Sequence, residues 1–284
     1  MRTTTITIVA LAGLTACEWN SDTAKKLDSG MQQPRPDGRD TDLDGDIDPD
    51  MDVVGPVAHL LLTEVALTPT GAEFIEITNP NATDVSLADY YLADTGEYWK
   101  LPAGSPTIST TDFIVEFPMT ATIAAGASIT VAIGSATAFN TAYGKMPTYS
   151  VLDGTVTKTV VPGTATMTDA GEIVVLFHWD GTAGLVEDVD MMLAGKPTGA
   201  NGLTTKSGVT LGSSTYKTDA NTIASQANTP GSGVSTKRTM AEAGHETQAG
   251  TGNGIDGDDE TSEATGTTWD STFTAPTPGT APAF

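Results

Sequence analysis

Beyond residue 57, β-branched and aliphatic residues come in short runs separated by Gly, Pro, Asn and Asp, the pattern of strands joined by turns. Ala58 to Ala66 is the first run and ends at the turn Pro69-Thr70-Gly71. Glu73 to Thr78 follows, and Ile75 and Ile77 alternate there with polar neighbours, so both are expected to face a core. Tyr90 to Ala93 is a third run. Ser128 to Ile133 is a fourth, entered by a turn at Gly126, with Ile129, Val131 and Ile133 on one face. Glu172 to Trp179 is the most apolar. Ile173, Val175 and Phe177 share one of its faces and Val174 and Leu176 the other, which predicts a central strand covered on both sides. Asp180-Gly181 then turns the chain, and Leu185 to Asp190 is expected to return as its neighbour. Only Ser135 to Tyr143 reads as helical, with Ser135 as N-cap and Gly144 as the stop. The content is that of an antiparallel all-β fold.

The flanks read differently. Arg2 precedes an apolar and small-residue stretch from Ile6 to Leu14, far shorter than the roughly 20 residues a membrane-spanning helix needs. It ends in Leu14-Thr15-Ala16-Cys17, which resembles the bacterial lipobox. The expectation is a lipoprotein signal peptide over residues 1–16 and lipidation at Cys17; a buried N-terminal strand with an incidental thiol is the alternative. Cys17 is the only cysteine, so its acylation leaves no thiol for a disulfide within one chain. Residues 17–56 are acidic and poor in aromatics, a composition that cannot bury enough apolar surface to offset chain entropy, and read as a disordered, flexible linker. Residues 57–284 are expected to form one domain, with long loops over 195–265, where Gly, Ser, Thr and Ala dominate. Trp269 and Phe273 are expected to pack back on it.

Charge narrows the partners. The formal net charge is −23, from 36 acidic and 13 basic residues, a field that repels phosphate backbones. Nucleic acid is therefore not expected as a partner; a membrane, through the lipid, is. Asp40, Asp42, Asp44, Asp46 and Asp48, with Gly45, form Asp-x-Asp-x-Asp-Gly-x-x-Asp, which sets carboxylates at alternate positions around a Gly turn as calcium requires. The pattern resembles thrombospondin type 3 and dockerin loops. Met51 stands at the twelfth position, where an EF-hand needs a bidentate Glu. An acidic solvating linker explains the same composition, and both readings stand. Calcium is the one cofactor suggested.

Other motifs fail on context. Gly252-Asn253-Gly254-Ile255-Asp256-Gly257 has the letters of a dinucleotide fingerprint, but no apolar strand precedes it and Asp258, Asp259 and Glu260 would repel a pyrophosphate. It reads as a loop, with a second weak cation site as an option. His245-Glu246 begins like a zinc-protease helix, yet Ala249 occupies the place of the second histidine. His59 and His178 fall in expected strands and read as satisfied histidines rather than ligands or bases. Glu64 and Glu76 are placed to neighbour one another on paired strands, which imitates an acid and base couple; alternating strand polarity explains them more simply. Neither a Gly-x-Ser-x-Gly elbow nor a Gly-x-x-x-x-Gly-Lys loop occurs.

Several segments, in order, carry a family resemblance. Leu61-Leu62-Thr63-Glu64-Val65 resembles an opening strand of the form apolar-Asn-Glu-apolar, and Glu73-Phe74-Ile75-Glu76-Ile77-Thr78-Asn79 a following Glu-Phe-Val-Glu-apolar-x-Asn. Val85 to Asp94 resembles Leu-Ser-Gly-Trp-x-Leu-x-Asp, and Ile123-Ala124-Ala125-Gly126 an apolar-x-Pro-Gly turn. Gly171 to Leu176, Asp180-Gly181 and Val186 to Val189 are similar to a late hairpin. Ser235 to Arg238, Trp269 and Thr277-Pro278-Gly279 follow a closing order of Ser-x-x-Arg, an aromatic and Pro-Gly. Together these resemble the lamin tail domain. The resemblance implies an immunoglobulin-like antiparallel β-sandwich and carries no catalytic motif. Thr63 stands for the usual Asn, Tyr90 or Tyr91 for Trp, and residues 195–265 are rich in insertions.

Anchor, spacer and sandwich predict a non-catalytic cell-envelope lipoprotein at the outer membrane or cell surface. It would present the sandwich for binding, adhesion or scaffolding to an unidentified protein or surface polymer. Two alternatives remain open: an accessory or targeting subunit of an envelope hydrolase, and a calcium-binding surface protein. An enzyme built from dispersed carboxylates is a further option, with few histidines to support it.

Overall fold

The longest apolar run becomes a strand buried on both faces. In the computed structural model, which describes residues 59–284 except 105, 168–170, 196–205, 220–226, 228, 243, 249, 271 and 284, β10 (Glu172–His178) lies inside a five-stranded sheet. Its order is β11 (Glu187–Ala194), β10, β4 (Tyr90–Ala93), β5 (Ile114–Glu116) and β9 (Thr157–Val160), all antiparallel. A second five-stranded sheet runs β14 (Thr236–Lys237), β1 (Leu61–Ala66), β2 (Phe74–Thr78), β7 (Ser128–Ala132), β8 (Tyr149–Ser150). Only β7 and β8 pair in parallel there. Two small antiparallel pairs, β3 (Val85–Ser86) with β6 (Thr122–Ile123) and β12 (Thr210–Leu211) with β13 (Ser214–Thr215), are the other strands among the described residues.

The expected alternation sets which residues meet between the sheets. Ile75, Ile77, Ile129, Val131 and Ile133 from one side and Leu92, Val115, Val174, Leu176 and Val189 from the other share a single core. The opposite face of β10 is covered as well. Ile173, Val175 and Phe177 pack with Tyr91, Tyr98, Trp99 and Tyr216, and the Tyr91 and Phe177 rings stack at 5.1 Å. On the far side of the other sheet, α1 (Ala136–Tyr143) lays Phe139 against Phe74. Its ends are those expected: the Ser135 hydroxyl accepts from the Ala138 N–H at 3.1 Å, and Gly144 adopts a left-handed φ of 72°.

Differences lie where polar residues interrupt the apolar code. β11 starts at Glu187 and continues to Ala194, past Asp190, where alternation fails; a register shift between Leu176 and Phe177 on β10 accommodates Val189 as an extra residue. β9 has three exposed residues and was not expected. His59 precedes β1 rather than lying in it. Trp269 follows α2 (Thr265–Thr268) and, as expected, returns to the core at 3% exposure; Phe273 is half-buried. Among the described residues no helix is long and apolar enough to cross a membrane.

Candidate functional site

The polar residues of the strand motifs are buried as hydrogen-bond acceptors and donors. Glu64 and Glu76 sit opposite one another on β1 and β2, on the face away from the core, yet each is 2% exposed or less. The reason is the C-terminal segment, which returns over that face. Thr277 N–H donates to Glu64 at 2.8 Å, Gly279 N–H to Glu76 at 2.5 Å, the Ser235 hydroxyl to Glu64, and the Thr63 hydroxyl to Glu76 at 3.1 Å. Burial pushes the Glu76 carboxyl up to about 7, against the lowering effect of the Gly279 N–H. The two carboxylates thus clamp the Thr-Pro-Gly segment. Strand alternation alone leaves them exposed, since it says nothing of a segment about two hundred residues away.

Asn79 and Asp94 act similarly. The Asn79 amide donates to the carbonyls of Thr83 and Ile123 at 2.8 and 3.0 Å, and Asp94 accepts the Phe113 N–H at 2.5 Å. Burial holds the Asp94 carboxyl well above the usual range.

Around β11 lie three linked groups of buried charge. Asp188 accepts from Lys206 Nζ at 2.6 Å and from the Tyr98 hydroxyl at 2.7 Å, and Asp219 lies 3.5 Å from the same ammonium. Asn253 donates to Asp219 at 2.6 Å. Asp190, at the inter-sheet edge, receives Arg238 Nη2 at 2.7 and 2.9 Å and the Leu62 N–H at 2.5 Å. Arg238 also donates to Glu263 at 2.6 Å and to the Leu62 carbonyl at 2.8 Å, and lies over the Trp269 ring. These bonds join the first strand, β11 and the closing segment.

The third group is His59, Glu242 and Glu260, with Glu246 half-buried beside it. His59 Nε2 lies against Glu242 Oε2 and 3.9 Å from Glu260 Oε1. The Glu260 side chain has no exposure, and neither of its oxygens meets a hydrogen-bond donor among the described residues. Glu242 Oε1 is 3.3 Å from Arg238 Nη2, outside hydrogen-bond geometry. Burial first, and the neighbouring carboxylates next, push Glu260 well above the usual range; burial and Asp190 do the same for Glu242. Gly254 makes room for this: a Cβ there would lie 2.9 Å from Glu260 Oε1 and 2.8 Å from the Asp258 carbonyl.

The other residues singled out from sequence fall as follows. Cys17 and Asp40, Asp42, Asp44, Asp46 and Asp48 lie outside the described residues. Gly252 to Gly257 is a tight loop closed by Gly252 N–H to the Gly257 carbonyl at 2.7 Å, and the helix after it is one 3-10 turn, Glu260–Ser262. His245 lies outside any helix, and Ala249 outside the described residues. His178 pairs with Glu187 at 3.4 Å at the surface and borders an open cleft of 370 Å³ with Trp179, Lys217 and Asn253. His59, which reads from sequence as a satisfied strand histidine, meets carboxylates that stand far along the chain.

Two five-stranded, mostly antiparallel sheets about one core, tied by buried acidic residues, define an immunoglobulin-like β-sandwich. Residues 55–192 match the family model described as Lamin Tail Domain, and the chain carries a lamin tail domain over that segment. The chain is also similar to a crystal structure of a DUF4876 family protein from Bacteroides thetaiotaomicron, with 15% identity, a TM-score of 0.37, and coverage of 80% of this chain and 72% of that one. No curated protein matches.

Proposed function

We propose that this protein is a lipid-anchored envelope protein that presents its lamin tail domain as a non-catalytic binding, adhesion or scaffolding module. The observation that carries the non-catalytic part is the engagement of the motif residues: Glu64, Glu76, Asn79, Asp94 and Arg238 all hold backbone segments in place. A group already bonded to main chain and shielded from solvent is poorly placed for proton transfer to a substrate. The lipobox-like Leu14-Thr15-Ala16-Cys17 supports the anchor and the acidic residues 17–56 a spacer. The loop-lined cleft beside Trp179 is the contact surface assigned here, to a protein or surface polymer.

The test is fractionation of cells producing the full chain and C17S, with metabolic labelling by a fatty acid. Label and membrane fractionation lost in C17S support the anchor; an unlabelled full chain contradicts it. Capture of envelope material that W179A weakens supports the cleft, and capture indifferent to W179A removes it. The alternate aspartates from Asp40 to Asp48 favour a second reading, a calcium-stiffened spacer, which calorimetry with and without residues 18–56 tests.

A further inference from the structure

Two acidic triads sit side by side, and they differ in what fills them. Asp190, Glu242 and Glu263 have ligand atoms within 4.8 Å of one another, and so do His59, Glu242 and Glu260. The first triad is occupied by the chain's own cation, since Arg238 donates to Asp190 and Glu263 and approaches Glu242. No lysine or arginine among the described residues forms an ion pair with Glu260; its one basic neighbour is His59. Glu260 is wholly buried, aimed at His59 and Glu242, and without a donor on either oxygen among the described residues. A buried carboxylate normally finds a partner, because solvation lost on burial has to be replaced.

We infer that His59 Nε2, Glu242 and Glu260 bind a divalent transition-metal ion of the zinc class. An imidazole nitrogen with carboxylate oxygens suits zinc or manganese, whereas calcium takes six to eight oxygens. Glu246, half-buried, also has one oxygen without a donor among the described residues, and it lies outside the three converging ligands. The ion joins His59, just ahead of β1, to two residues of the segment after β14. Its role is therefore to lock the ends of the domain together, a folding contribution rather than a catalytic one. This inference is independent of the anchor and of the cleft.

The test uses the full chain stripped with a chelator, titrated with zinc chloride by calorimetry and followed by thermal unfolding. The expected result is one tight zinc per chain and a melting temperature that rises with zinc concentration. E260Q and H59Q are each expected to weaken zinc at least tenfold, and either suffices if the other fails to fold. A flat titration with both zinc and manganese overturns the inference. So does zinc affinity undiminished in the folded variants, which would locate the ion elsewhere.

Discussion

On the outer side of β11, Asp188 and Asp219 face Lys206; the Tyr98 hydroxyl donates to Asp188 and the Asn253 amide to Asp219, whose Oδ2 has the ammonium at 3.5 Å and no hydrogen-bond donor among the described residues. At the inter-sheet edge, Glu242 and Glu260 face one imidazole, and Glu260 meets no hydrogen-bond donor among the described residues. Both groups are buried, and each joins an earlier residue, Asp188 or His59, to residues that follow 195. Each sets two carboxylates against one basic group, but in the first that group is a permanent cation, Lys206, and in the second it is an imidazole, His59. Burial of acids is thus compatible with two designs, one held by the chain's own cation and one completed from solution. Glu76 gives a third, in which neutral N–H and O–H donors do the work.

The sharpest way to break the comparison is to remove the internal cation. K206M leaves Asp188 buried opposite no ammonium and is expected to destabilise the domain by about 3–5 kcal/mol in urea unfolding, whereas K206M with D188L is expected to recover most of it. A double variant as unstable as the single would show that Lys206 acts through packing. R238M should cost as much, through Asp190 and Glu263.

The neutral-donor case is read by pH. Glu76 binds its proton more readily folded, at about 7, than unfolded, near 4.5, so the folded state holds the extra proton between these values. Its contribution to stability is full below pH 4.5 and is lost as pH rises through 7, by up to about 3 kcal/mol. E76Q should flatten that part of the profile; an unchanged slope would mean that Glu76 ionises as freely folded as unfolded.

A smaller effect of opposite sign separates the metal-completed group. In the stripped protein at pH 8, E260Q is expected to stabilise the domain by on the order of 1–2 kcal/mol, because it removes an uncompensated buried charge. Destabilisation would indicate that Glu260 already has a cation of its own. The smallest change is T268V, which deletes the hydroxyl donating to Glu263 at 2.6 Å and is expected to cost about 1 kcal/mol.

How much of this was legible in the sequence follows from the range of each signal. β2, β7 and β10 were readable because alternation is local, and α1 because Ser135 and Gly144 mark its ends. The short run Phe113 to Phe117 carried a signal for β5 that was passed over, while β9, Thr-Lys-Thr-Val, offers hardly any. The far half of β11 was hidden because Asp188 and Asp190 look like a strand's end; Lys206 with Tyr98, and Arg238 with the Leu62 N–H, make them tolerable inside. His59 gave no hint of Glu242 and Glu260, which follow it by nearly the length of the domain. Hydrophobic pattern reports faces, and the candidate site depends on long-range charge.

The most direct test of the central claim, that the second acid group is completed by an ion, is a crystal structure of the zinc-loaded full chain with anomalous data on both sides of the zinc absorption edge. The account predicts an anomalous peak about 2 Å from His59 Nε2 and from oxygens of Glu242 and Glu260. No peak there, with the two carboxyl groups hydrogen-bonded to each other through a shared proton, would contradict it.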